Sequence, residues 1–131
     1  MNQIGAAWEA YTPTIEQSVG LTYSAAYTKY ARIQNLVIVS FSCQITSAGT
    51  AGAGITVSVP FAAAGSFRPA QSSQFYDASA ATTYINVTYM ATSTKLGFIN
   101  SASGGGAFGA APAVTAANGD YIFGTVIYEA A

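Results

Sequence analysis

Residues 27–60 read YTKYARIQNLVIVSFSCQITSAGTAGAGITVSVP, and the reading of this stretch decides the fold. Val37, Val39, Phe41, Cys43 and Ile45 fall on one side of an alternating pattern, while Ser40, Ser42, Gln44 and Thr46 fall on the other. Successive side chains of a strand point to opposite faces, so a period of two with one apolar set marks a half-buried strand. Residues 27–33 carry their own alternation, and Gln34-Asn35 separates the two runs. Asn tolerates the left-handed backbone of a tight turn, which predicts a hairpin. The small residues of 47–54 form a loop, and Ile55, Val57 and Val59 then alternate with Thr56 and Ser58 until Pro60 ends the run. Three consecutive antiparallel strands are the expectation.

The flanks extend the same pattern. YTPTIE at 11–16 is an edge strand or extended entry segment, because Pro13 has no N–H to give to a ladder. Residues 71–78 predict a strand and 77–81 a turn. In 82–91, Thr83, Ile85, Val87 and Tyr89 share one face and Tyr84, Asn86, Thr88 and Met90 the other, and a hairpin leads on to 94–100. Residues 101–112 (SASGGGAFGAAP) are too rich in Gly and Ala for a regular element, so they form a loop with Phe108 at its tip or tucked beneath it. Asn118-Gly119 is a turn, and DYIFGTVIYE at 120–129 is a last strand, apolar on both faces and hence central or in an interface. No helical period or internal repeat is present. Short strands with no helix to cover them need two packed sheets or one closed sheet. The expectation is an all-β fold, an antiparallel β-sandwich of jelly-roll type spanning 11–131 behind an N-terminal arm at 1–10, with a small barrel as the alternative.

A chain of 131 residues is one domain by length, able to bury about 65% of its unfolded surface. Charged residues make up 7% of it, against about 25% in ordinary soluble domains. So little charge gives little repulsion against association, which points to a component of an assembly. The four basic residues, Lys29, Arg32, Arg68 and Lys95, are scattered and cannot form the cationic stripe that nucleic acid requires. No apolar run approaches the roughly 18–20 residues of a membrane-spanning helix, and 1–11 lacks the basic and long apolar regions of a secretory signal. Neither nucleic acid nor membrane is an expected partner. Cys43 is the sole cysteine and lies on the apolar side of its strand, so it reads as a core residue.

Histidine is absent, which removes the usual general base and commonest metal ligand. The Gly-rich 103–109 segment lacks the Lys-Ser/Thr ending of a phosphate loop. A carboxylate pair for sugar hydrolysis would have to come from Glu9, Glu16, Asp77, Asp120 and Glu129, whose settings are an arm, an edge and turns. No enzymatic activity, cofactor or metal is expected. Aromatic side chains stack on sugars, so Tyr23, Tyr27, Tyr30, Tyr76 and Tyr84 are candidates for a glycan groove.

WEAYTPT at 8–14, YARIQNLV at 30–37 and GITVSVPF at 54–61 resemble an all-β domain of tailed-bacteriophage virion proteins, found in tail-fibre tips and small capsid-associated proteins. Gln34 stands where that group has Gly and Val59 where Leu is common. The resemblance implies a jelly-roll-like homotrimer that acts by binding. Because the domain begins almost at Met1, a free-standing capsid decoration or cement protein fits better than a fibre tip. On that reading the chain is made in the bacterial cytoplasm and located on the outer surface of the virion head, bound to the major capsid protein. Ile4, Trp8 and Tyr11 are then the expected shell contacts, and Ile122, Val126 and Tyr128 the expected trimer interface. The alternative is a tail-fibre or spike tip binding a host-surface glycan, with Gly104, Gly105, Gly106 and Phe108 in the ligand loop.

Overall fold

The computed structural model describes residues 7–65 and 71–131 of the chain. Ten strands follow one another: β1 (Glu9–Ala10), β2 (Ile15–Gln17), β3 (Val19–Leu21), β4 (Tyr23–Ile33), β5 (Leu36–Ile45), β6 (Thr56–Ser58), β7 (Gln71–Asp77), β8 (Thr82–Thr92), β9 (Lys95–Asn100) and β10 (Tyr121–Glu129). The one helical element among the described residues is a 3-10 turn at Ser101–Ser103. The β4–β5 hairpin turns at Gln34-Asn35 as expected, with Gln34 in the left-handed region at φ 54°.

All ten strands belong to one antiparallel sheet, in the order β1-β4-β5-β10-β7-β8-β9-β6-β2-β3. Ile15, Leu21 and Val57 from one end of that order share a core with Val37, Val39 and Phe41 from near the other end. A sheet whose far strands meet on the same side must curl, and this one forms a half-barrel. The all-β class holds; one curled sheet stands where two separate sheets were expected. The third strand of the opening stretch also moves: β6 pairs with β2 and β9 and makes no ladder with β5. Loop 46–55 therefore carries the chain across the mouth of the curl.

β5 follows its pattern, with Val37, Val39, Phe41, Cys43 and Ile45 all buried. Burial pushes the Cys43 thiol up to about 11, so it is a packing group. β10 lies between β5 and β7 and pairs with β5 along its whole length, from Tyr121↔Gln44 to Glu129↔Leu36. A central strand covered on its inner face accounts for its double apolar pattern.

β8 shows the expected alternation, yet the polar set is buried. Asn86 and Thr88 face inward, and Asn100 Nδ2 donates to Asn86 Oδ1 at 3.1 Å and to Ile85 O at 3.1 Å. Ile85 and Val87 face solvent, 65% and 43% exposed. The paired amides satisfy each other inside the curl, which removes most of the penalty of burying them.

Candidate functional site

Directly paired residues of neighbouring strands share a face, so the ladder identifies what lies on the outside of the curled sheet. One outer row holds Ile33, Leu36 and Glu129; the next holds Ala31, Ile38 and Ile127. A third holds Lys29, Ser40 and Thr125, with the two hydroxyls 3.1 Å apart, and a fourth runs Tyr27, Ser42, Phe123, Gln74 and Ile85. Ile33, Leu36 and Ile127 are each nearly half exposed. Beyond the end of the β7 ladder, the Gln71 side chain pairs with Ile127 as a backbone would, donating Nε2 to its carbonyl at 2.8 Å and accepting its N–H at 2.9 Å. In these four rows the charged groups are Lys29 and Glu129.

Trp8 borders this face. Its ring meets Tyr27 edge-on with centroids 6.5 Å apart and remains 47% exposed, while Lys29 Nζ lies over the Tyr27 ring, 5.1 Å from its centroid. The arm is anchored by β1, whose Glu9 and Ala10 pair with Tyr30 and Lys29. Glu9 also accepts the Tyr30 hydroxyl at 2.8 Å, which raises that phenol's pKa. Ile4 lies outside the described residues. Tyr11 does not stand beside Trp8: it turns inward, edge-on to Tyr30 at 6.3 Å, and burial pushes its phenol up.

The expected trimer residues require a correction. Ile122, Val126 and Tyr128 are buried in the chain's own core, and the Tyr128 hydroxyl donates to Phe61 O at 2.8 Å. Groups already covered by their own protomer offer nothing to a neighbour. The outward partners on the same strand are Tyr121, Phe123, Thr125 and Ile127. The expected ligand loop divides in the same way: Gly104 and Gly105 are exposed, but Phe108 is buried with its ring 5.2 Å from Phe75 and 5.1 Å from Tyr84. Nor do the five candidate tyrosines line one groove, since Tyr23, Tyr30 and Tyr84 face inward and Tyr27 and Tyr76 outward.

The two small-residue loops do meet, held by a residue that sequence reasoning passed over. Gln17 is fully buried and bonds three backbone groups: Nε2 donates to Val114 O at 2.7 Å and Ala53 O at 3.0 Å, and Oε1 accepts from Ala116 N at 2.8 Å. Gly109 lies against this knot with φ +106°, and a Cβ there would fall 2.5 Å from Ala53 O. An amide at the inward position two residues after Ile15 was the available signal.

Four of the five carboxylates, Glu9, Glu16, Asp77 and Asp120, have partners. Asp120 accepts backbone N–H groups from Ala78 and Ala117, both at 2.9 Å, tying two turns together; burial nevertheless raises its pKa. Asp77 accepts the Ser79 hydroxyl at 2.7 Å and Ala80 N at 3.0 Å, which lowers its pKa. Glu16 forms an ion pair with Lys95. Among the described residues no group of three or more His, Cys, Asp or Glu side chains is placed to hold a metal ion. Comparison with protein-family models, with curated proteins and with solved structures finds no match.

Proposed function

We propose that this chain is a structural subunit of a tailed-phage virion, a decoration or cement protein that binds the outer surface of the head and stabilises it. It acts by binding, without catalysis. The observation that carries the reading is the outer sheet face, where Ile33, Leu36, Ile127, Ile85 and Val87 are exposed, with Ile38 half-buried among them, on a surface with very few charges. Exposed apolar side chains gathered on one sheet face, as Ile33, Leu36 and Ile127 are here, mark an interaction surface. The curled sheet then serves as a jelly-roll-like scaffold, and copies associate as trimers through the β4–β5–β10 part of the face. The Trp8–Tyr27 pair at its border contacts the major capsid protein. A subunit that binds only the assembled shell stabilises it by mass action.

The test is reconstitution on heads lacking the protein, followed by electron cryomicroscopy. Density at threefold or quasi-threefold positions, lost with Trp8→Ala, is the expected result; density at the tail ends only, or none, overturns the head assignment. A second reading, a fibre or spike tip that binds a host-surface glycan, is favoured by an opening lined by Tyr11, Pro13, Ile15, Leu21 and Tyr23 with no charged residue in its lining.

A further inference from the structure

The sheet does not close. Between its two ends, β4 on one side and β2–β3 on the other, lies an opening of about 450 Å³ lined by Tyr11, Pro13, Ile15, Leu21, Tyr23, Ala25 and a set of threonines. Ala25 pairs with Cys43 and so faces inward, yet it is exposed. Among the described residues, none covers the inner face of the sheet at this point. The opening is therefore a break in the wall of the curl.

We propose that this opening binds a single uncharged sugar ring. The inference deepens the second reading, a glycan-binding tip, by naming the site and the ligand class, and does not depend on the shell-binding reading. Three features select the ligand class. No acid or base is among the lining residues; Glu16, next to Ile15, is turned to the opposite face and paired with Lys95. An ionic ligand would lose its hydration and gain no counter-charge. Next, both tyrosines are held in place: the Tyr23 hydroxyl donates to Pro13 O, and the Tyr11 hydroxyl lies 3.5 Å from Ser58 O. Rings fixed before binding present apolar faces to the C–H face of a pyranose with little entropy to lose. Finally, Thr12, Thr14 and Thr28 are among the lining residues, and β4 is paired on this edge by β1 at Lys29 and Tyr30 and by Tyr11 N, which donates to Thr28 O at 3.2 Å, so the β4 backbone nearer Tyr23 lies outside that ladder. A wholly apolar occupant would waste these polar groups, whereas sugar hydroxyls match them. The volume falls within the roughly 300–1,000 Å³ of small-ligand sites.

The test is an amide-resolved NMR titration of the full chain with glucose, galactose, mannose, rhamnose and N-acetylglucosamine singly, and with sialic acid as the charged comparator. Expected are saturable shifts confined to residues 11–15 and 20–28 for at least one neutral sugar, with a dissociation constant of order 1 mM, and none for sialic acid. Ala25→Leu, which fills the opening, should weaken binding at least tenfold and leave the remaining spectrum in place. Thr12→Val, which keeps the shape and removes a hydroxyl, should weaken it severalfold and serves if Ala25→Leu does not fold. Absence of shifts with every neutral sugar, shifts centred on residues 101–112, or undiminished binding in the foldable variants overturns the proposal. Because the readout uses isolated protein, its failure leaves the head-binding test untouched.

Discussion

Gln17 shows how one side chain fixes a surface it never reaches. Its amide supplies partners to two carbonyls and one N–H drawn from loops far apart in sequence. Gln17→Leu keeps the bulk and orphans all three, and each buried orphan costs about 1–3 kcal/mol. The expected loss is at least about 3 kcal/mol in urea unfolding, with faster amide exchange at Gly49 and Val114 before that of β5. Asp77 gives the pH dependence. The Ser79 hydroxyl, followed by backbone N–H groups, holds its folded pKa below the ordinary carboxylate value. Its contribution is present above the unfolded pKa and is lost as pH falls through the folded one. Urea midpoints measured for wild type and Asp77→Ala should differ at pH 7 and converge below pH ~4. Asp120 has the opposite sign: with a folded pKa raised by burial, its contribution is largest at acid pH and diminishes as pH rises.

At the scale of elements, β8 reverses the ordinary rule. Asn86 and Thr88 lie inside and Ile85 and Val87 outside, because the amide of Asn86 has found Asn100 on the neighbouring strand. Asn86→Ala removes that partner within the curl and should cost about 1–3 kcal/mol in chemical denaturation. Ile85→Thr, on the same strand, should cost less than about 0.5 kcal/mol, since it touches no buried feature. A larger penalty for Ile85→Thr than for Asn86→Ala would show that β8 faces the other way.

For the whole molecule, the outer face is where packing within one chain ends and, on the trimer proposal, packing between copies begins. Replacing Leu36 and Ile127 together by Lys places two like charges in adjacent rows of that face. The pair should leave the circular dichroism spectrum unchanged, since exposed substitutions away from buried features rarely cost more than about 0.5 kcal/mol. In sedimentation velocity it should convert an associating species to monomer. A double variant that sediments as wild type would remove this face from the trimer proposal.

What the sequence determined by itself was local: the β4–β5 hairpin with its Gln34-Asn35 turn, the inward face of β5, the turn-forming role of Asp120 and the all-β class. Each follows from a period of two or from the chemistry of a few adjacent residues, which need no knowledge of the rest of the chain. The candidate site was legible only in part. Trp8 was identified and is exposed, but which face of β10 its own core covers, where Phe108 packs and what Gln17 holds were not. Those were decided by tertiary structure, because a strand apolar on both faces does not say which face its own chain will cover. Alternation likewise marks two faces of β8 without ranking them. The ranking came from the curl, which set Asn86 opposite Asn100 and left the opening beside Tyr23 where the sheet fails to close.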